Sequence, residues 1–137
     1  MLTHHHPDHV GGLDAVRERL RVPVGAHPET AKRVRVDFTI EDGQWITLVP
    51  QQADWSLRAL HTPGHARGHL CFYHPRTRSL FSGDHVVGGS GTVIVDPPEG
   101  DMSDYLASLE RLTTLGAETL FPDTERPRAR WRAGSPS

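Results

Sequence analysis

The spacing of apolar positions along the chain predicts two amphipathic helices and a shorter one. Charged side chains separate apolar positions at helical spacing in residues 10–20. The same pattern runs from Asp101, a residue type that favours a helix N-cap, through Leu112. A short helix is predicted to open at Pro28, because proline is tolerated in a first helical turn. The first apolar stripe is Leu13, Val16 and Leu20; the second, predicted to be buried, is Tyr105, Leu106, Leu109 and Leu112.

Runs of β-branched and aromatic residues predict strands between these helices. Alternation around a Glu-Asp-Gly turn favours a hairpin over residues 36–48. A Thr-Pro-Gly sequence at 62–64 ends one strand, and a polar turn at 74–78 joins two others. No internal repeat is present, and a single domain is expected. The remaining predicted strands are 22–26, 55–61, 69–73, 79–82, 92–95 and 118–121.

Length and composition are those of one soluble globular domain. The chain has 137 residues, of which 36% are hydrophobic and 23% charged. A net charge of -2 gives no field that would attract nucleic acid or an anionic membrane, and no run approaches the ~18 apolar residues needed to span a bilayer. The single cysteine, Cys71, excludes an internal disulfide and fits a reducing, cytoplasmic location. Its place within a strand predicts a core residue.

Histidine is the residue type that changes this picture. The chain has 10 histidines, and four of them lie between positions 4 and 9. His65 and His69 bracket a short turn, and His85 follows a Gly-Asp pair. Histidine is the commonest metal-binding side chain and transfers protons near neutral pH, so clustering of this kind predicts a functional site.

The sequence THHHPDHVGG at residues 3–12 has the spacing of a metal-binding loop. Alternate residues of a loop leaving a strand can point the same way, so His4 and His6 can hold one ion. Asp8 and His9 follow a bend at Pro7 and can face a second ion. Zinc favours nitrogen and oxygen ligands of this kind. A purification-tag remnant is disfavoured, because the aspartate and the following glycines are not tag-like.

The same loop resembles the signature of the metallo-β-lactamase superfamily. Two further motifs similar to that family follow in the expected order, HTPGHARGH at 61–69 and LFSGDHVVG at 80–88. The resemblance covers residues 1–122. It implies an α/β (α+β) fold, a four-layer αββα sandwich with metal ions at the edge of its two sheets.

The resemblance also implies which residues bind the ions. It assigns a first zinc ion to His4, His6 and His65, and a second to Asp8 and His9, with Asp84 bridging both. Asp8 would also be the catalytic residue, orienting the attacking water and taking its proton. His5 is expected to point away from the ions. His69 and His85 are expected to be structural or to support the ligands as outer partners.

Both ends of the chain depart from the family pattern. The family's domain has several strands ahead of the His-rich loop, so an incomplete sandwich is expected here, from a truncated product or a late start site.

The family's closing Pro-Gly-His-Gly loop, whose histidine completes the second metal site, is replaced after Pro122. A one-base insertion in a plausible coding sequence restores that loop. The hypothesis is a frameshift, with 1–122 a partial domain and 123–137 an unstructured, out-of-frame tail; the alternative is that Asp123 or Glu125 replaces the lost ligand. Without the histidine, at most one well-held zinc ion is expected, with weak or absent turnover.

Three functions remain open from the sequence. The branch that the chain resembles is related to glyoxalase II, which favours metal-activated water attacking a small thioester or ester. An endoribonuclease is possible within the same superfamily, but it would require a basic groove. An inactive zinc-binding fragment is the third. The turn at 97–100 either lines the substrate cleft or is an ordinary connection, and no pattern indicates an oligomeric state.

Overall fold

The computed structural model describes residues 1–88, 91–123 and the backbone of 128–129. Its α-helices are α1 Pro7–Val10, α2 Leu13–Leu20, α3 Pro28–Ala31 and α4 Met102–Thr113, and a 3-10 turn spans Ala53–Trp55. As predicted, Asp101 caps α4: its carboxylate accepts a 2.9 Å hydrogen bond from the backbone of Asp104. Within the described residues, none of the helices has both the length and the apolar character required to cross a membrane.

The strands form two sheets. A two-stranded parallel sheet pairs β1 Gly25–Ala26 with β2 Phe38–Thr39. The larger sheet has six strands in chain order, antiparallel except where β6 and β7 run parallel. A parallel pair requires a crossover, and α4 supplies it. The six strands are β3 Trp45–Thr47, β4 Ser56–His61, β5 Leu70–His74, β6 Ser79–Gly83, β7 Thr119–Pro122 and β8 Arg128–Ala129.

Two predictions about strands are wrong. The expected hairpin at 36–48 does not form, because β2 pairs with β1 whereas β3 pairs with β4 in the other sheet. The Glu-Asp-Gly turn therefore passes the chain between sheets. Residues 92–95 are not a strand either. Both edges of β6 are already occupied by β5 and β7, so an extended segment following it has no ladder to join there.

The apolar stripes of the helices are buried less than expected. No residue of α2 is buried, and Leu20 is 63% exposed. On α4, Leu106 is 57% exposed, whereas Ser108 is buried and donates to the carbonyl of Pro63 at 2.8 Å. The buried stripe of α4 thus passes through Ser108 and Leu112, and Leu106 lies off this line.

The six-stranded sheet is covered by apolar side chains on both faces. Successive residues of a strand point to opposite faces. On β5, Cys71 and Tyr73 therefore join one cluster, while Leu70 and Phe72 join the other. Cys71 is fully buried, as predicted, and burial raises the pKa of its thiol to about 12.

The predicted tail is partly described. Asp123 follows β7, and the backbone of residues 128–129 pairs with β7 as the short strand β8. At those two positions a strand replaces the expected unstructured segment. The other residues of the tail, 124–127 and 130–137, lie outside the described residues, and Glu125 is among them.

Candidate metal centre

Loops at one end of the six-stranded sheet bring the histidine motifs together. The His-rich segment is anchored to the start of β5, because the backbone of Leu70 donates to the carbonyl of Thr3 at 2.8 Å. His65 lies in the loop between β4 and β5, and Asp84 follows β6 directly. Residues distant in sequence therefore meet, because these neighbouring strands begin or finish at the same end of the sheet.

The ligand atoms of these residues converge on a small volume. Nε2 of His4 lies 3.3 Å from Nε2 of His65. Oδ2 of Asp84 lies 3.0 Å from Nε2 of His9, 3.8 Å from that of His65 and 3.9 Å from that of His4. His6 completes the cluster, with its ring centroid 4.5 Å from that of His4. Among the described residues, two sets each have all their ligand atoms within 4.8 Å of one another, and Asp8 belongs to neither: His4, His6 and His65, and His4, His9 and Asp84.

These separations suit an ion with tetrahedral coordination. Ligands at about 2.1 Å from zinc stand about 3.4 Å apart in a regular tetrahedron. The separations of 3.3 to 3.9 Å among His4, His65 and Asp84 bracket that value. Oδ1 of Asp84 is buried and has no hydrogen-bond partner in the described chain. A buried carboxylate oxygen is costly to leave unpaired, and a cation would satisfy it.

Exposure increases from the base of the centre to its mouth. His4 is completely buried, whereas the side chain of Asp8 is 71% exposed and reaches within 3.4 Å of Nε2 of His9. Burial, together with the charges that His9 and His6 would carry, lowers the pKa of His4 to about 2. The imidazole of His4 is therefore neutral, the form that can offer a lone pair to a metal ion.

Hydrogen bonds on the outer side of the rings orient the inner nitrogens. Nδ1 of His65 lies 2.7 Å from the carbonyl of Ile94 and must donate to it, because a carbonyl only accepts. Nε2 of His65 then carries a lone pair. Nδ1 of His4 contacts the hydroxyl of Thr3 at 3.1 Å, and Nδ1 of His9 contacts Asp123 at 3.1 Å. Outer partners of this kind fix the tautomer and direction of a ligating imidazole.

The remaining histidines of the motifs lie behind or beside the centre. His5 lies 3.9 Å from Glu99 and is outside both sets of ligand atoms. His69 is fully buried, bonds to the hydroxyl of Thr62 at 2.9 Å, and has its ring centroid 5.1 Å from that of His4. Burial holds the pKa of His69 well below its usual range.

His85 is also buried, on the side of the centre that faces α4. Its carbonyl accepts a 3.0 Å hydrogen bond from the hydroxyl of Tyr105. Burial lowers the pKa of His85 to about 4. Across the described contacts, neither His69 nor His85 donates a hydrogen bond to any of the predicted ligands, His4, His6, Asp8, His9, His65 and Asp84.

A cleft of about 480 Å³ opens onto the centre. Four residues of the centre line it: His6, Asp8, His65 and Asp84. The turn at 97–100 was one of two open interpretations, and the structure favours the cleft, because three of its residues form a wall. The wall is made by Ile94, Asp96, Pro97, Pro98 and Glu99.

Sequence reasoning missed three partners of the centre. Thr3 directly precedes the first ligand, and a hydroxyl at that position is a signal that could have been used. Asp123 was considered only as a replacement ligand or as part of a tail. The carbonyl of Ile94 leaves no signal in the sequence, because any residue supplies one.

Known proteins match nearly the same part of the chain as the resemblance described above, which covers residues 1–122. Residues 1–124 match the family model described as the metallo-beta-lactamase superfamily. A hydroxyacylglutathione hydrolase of Bdellovibrio bacteriovorus is 33% identical over 123 residues, which cover 88% of this chain and 46% of that protein. One of Halorhodospira halophila is 38% identical over 120 residues, covering 87% and 43%. The chain thus spans less than half the length of these two relatives.

Solved structures share the arrangement of strands and helices. A protein crystallised in a di-iron-bound form is 28% identical, with a TM-score of 0.76, over 93% of this chain and 69% of that one. A metallo-beta-lactamase family protein from Thermus thermophilus is 28% identical, with a TM-score of 0.73, over 93% and 55%.

Proposed function

Because the chain belongs to the metallo-beta-lactamase superfamily and has its mixed α/β fold, we propose that it carries the metal centre of a hydrolase acting on small thioesters or esters. One observation carries the proposal. The inward nitrogens of His4 and His65 and the carboxylate of Asp84 converge, and His65 and Asp84 also line an open cleft, so a metal ion and a substrate can meet there.

We assign a first zinc ion to His4, His6 and His65, and a second to Asp8, His9 and Asp84, with Asp84 shared. The first set is the more buried. Because the hydroxyl of Thr3 donates to Asp123, Nδ1 of His4 must donate to that hydroxyl, and the lone pairs of His4 and His65 then face each other at 3.3 Å, an arrangement that a cation relieves. We expect one well-held ion, in the first set. Bound zinc supplies Lewis acidity and lowers the pKa of a coordinated water.

Asp8 is the residue placed to handle a proton. Its carboxylate is exposed at the mouth of the cleft and lies 3.4 Å from Nε2 of His9. A carboxylate there can orient a water molecule and accept its proton within hydrogen-bond reach. A thiolate leaving group needs little protonation, which suits a cleft whose described lining has no lysine, tyrosine or cysteine.

The charge of the cleft favours a small substrate over RNA. Asp8, Asp84, Asp96 and Glu99 all line it, and no arginine or lysine does so among the described lining residues. A polyanionic backbone would meet repulsion there, whereas recognition of nucleic acid requires cations along a groove. The two relatives named hydroxyacylglutathione hydrolases support the thioester class.

The test begins with metal content. The purified chain is dialysed against zinc or ferrous iron and its bound metal is measured by mass spectrometry, because one structural relative is a di-iron form. One zinc ion per chain is expected, and two tightly held ions would contradict the single-ion assignment. A chain that holds no metal would refute the metal centre.

Activity is then measured with a glutathione thioester, by release of the thiol, and with a single-stranded RNA. We expect metal-dependent thioester cleavage that falls about 10²–10⁴-fold in Asp8→Asn, the usual loss on removing a general base. Asp14→Asn is the matched control, an exposed aspartate on α2. Metal-dependent RNA cleavage without thiol release would favour the nuclease, and a loaded chain inactive on both would favour the zinc-binding fragment.

A further inference from the structure

We infer that Asp123 is a positioning residue that holds two imidazoles of the metal centre, His9 directly and His4 through Thr3, each with its inner nitrogen turned towards the ion that it would bind. The inference rests on the proposed metal centre. It differs from the expectation that Asp123 either replaces a missing ligand or belongs to an unstructured tail.

The hydrogen bonds around Asp123 define the direction of each donor. Its Oδ2 lies 3.1 Å from Nδ1 of His9 and 3.1 Å from the hydroxyl of Thr3. A carboxylate only accepts, so both partners donate to it. The single proton of the Thr3 hydroxyl is thereby used, and Nδ1 of His4, 3.1 Å away, must donate to that hydroxyl. Both imidazoles therefore carry a proton on Nδ1, which leaves Nε2 as the nitrogen that can face an ion; on His9 that nitrogen now contacts the carboxylate of Asp84.

The same geometry argues against Asp123 as a ligand. The two nitrogens of an imidazole diverge, and Nε2 of His9 faces Asp84 at 3.0 Å while Nδ1 faces Asp123. A carboxylate on the Nδ1 side lies behind the ring, away from an ion bound at Nε2. Asp123 is held there by β7, which ends one residue before it, and its side chain is 35% exposed.

The three imidazoles depend on Asp123 to different degrees. His9 bonds to it directly, and His4 is reached only through a hydroxyl. His65 is oriented by the carbonyl of Ile94 instead and is independent of it. Loss of Asp123 should therefore act on the well-held ion of the first set through His4 and on any second ion through His9, and it should leave the orientation of His65 unchanged.

Zinc affinity, measured by competition with a coloured chelator, is the first test. Loss of an outer partner typically lowers metal affinity about 10–100-fold, and this is the loss expected for Asp123→Ala. Asp123→Asn keeps an acceptor oxygen and should recover part of it. Asp14→Ala, which removes an exposed aspartate on α2, should bind zinc like the parent. Circular dichroism and thermal melting of the metal-free variants establish that they fold.

A double-mutant cycle separates positioning from a general structural effect. Thr3→Val removes the hydroxyl between Asp123 and His4, and Thr3→Ser retains it. If the hydroxyl acts only through Asp123, then Thr3→Val should cost little further affinity in the Asp123→Ala background, and Thr3→Ser should bind as the parent does. In cobalt-loaded protein, the exchangeable Nδ1 proton of His9 should be lost from the NMR spectrum in Asp123→Ala, while that of His65 remains.

The outcomes divide cleanly. Parent-like zinc affinity in Asp123→Ala, fully additive losses in the cycle, or an equal loss in Asp14→Ala would overturn the positioning role while leaving the metal centre intact. Failure of the unaltered chain to bind any metal would overturn the metal centre itself and this inference with it.

Discussion

Gly83 is the position where one added methyl group should disturb both the backbone and the metal centre. It ends β6 with a φ of +54°, in the left-handed region, and directly precedes Asp84. A β-carbon there would lie 2.6 Å from Nε2 of His69 and 3.0 Å from the β-carbon of Thr3. We expect Gly83→Ala to destabilise the fold and to move Asp84 away from its position beside His9.

The size of the effect follows from two contributions. A residue with a β-carbon pays about 1–2 kcal/mol in the left-handed region. The His69 ring cannot withdraw freely, because it is fully buried and bonded to Thr62, and overpacking of this kind adds about 1–3 kcal/mol. The expected loss in free energy of unfolding is therefore about 2–5 kcal/mol, against a total of about 5–15 kcal/mol for a domain.

Gly43→Ala is a matched control for the assay. Gly43 has a φ of +75°, and nothing lies within 4 Å of the position its β-carbon would take. Urea unfolding of metal-free protein should show only the backbone cost in Gly43→Ala, so the difference between the two variants measures the packing cost. Zinc affinity should fall in Gly83→Ala and stay unchanged in Gly43→Ala, because Gly43 lies in the turn between the sheets.

Equal losses of stability in the two variants would refute the packing argument, because the contact with His69 would then cost nothing. Parent-like zinc affinity in a destabilised Gly83→Ala would refute the coupling between this glycine and the position of Asp84.

Three further predictions concern the core, the thiol and pH. Leu112→Ala should cost about 2–5 kcal/mol in urea unfolding, because Leu112 is completely buried, whereas Leu106→Ala on the exposed side of α4 should stay within about 0.5 kcal/mol; similar losses would contradict the assigned face. Cys71 should resist a thiol reagent at about pH 8 and react once urea unfolds the chain, because burial raises its pKa to about 12; rapid labelling of folded protein would contradict this. Burial, and then the neighbouring His61, lowers the pKa of His27 below 6.5, so the unfolded chain binds that proton at higher pH than the folded one. Stability should therefore fall as the pH is lowered below about 6.5, and less steeply in His27→Phe; an unchanged slope would exclude His27 as a contributor.

The residue types of one part of the candidate centre were predictable from the sequence, because they follow each other at short, regular spacing. The loop from His4 to His9 places ligand-type residues close together whatever the rest of the chain does. His65 and Asp84 were assigned as ligands from the resemblance to a family, because no local pattern indicates that two loops 19 residues apart will meet. The structure brings both residues to the end of the sheet where His4 lies, because β4, β5 and β6 are neighbours in the strand order.

Local patterns also predicted most elements correctly. The Asp101 cap, the helix opening at Pro28 and the strands β4 to β7 depend on backbone preferences within a few residues, and these were found close to the expected positions. A hairpin at 36–48 and a strand at 92–95 were wrong because an extended segment needs a partner. Alternation along one segment carries no information about which strand lies beside it.

Only the tertiary structure could place Asp123 and the carbonyl of Ile94 beside the outer nitrogens of two imidazoles. A carboxylate becomes a ligand or an outer partner according to which side of an imidazole it meets, and a few ångströms separate the two. Residue types and their spacing therefore determine that this chain carries side chains of the kind that hold a metal ion. The packing of strand ends determines which nitrogen of each histidine faces it, because direction is set by contacts between segments far apart in sequence.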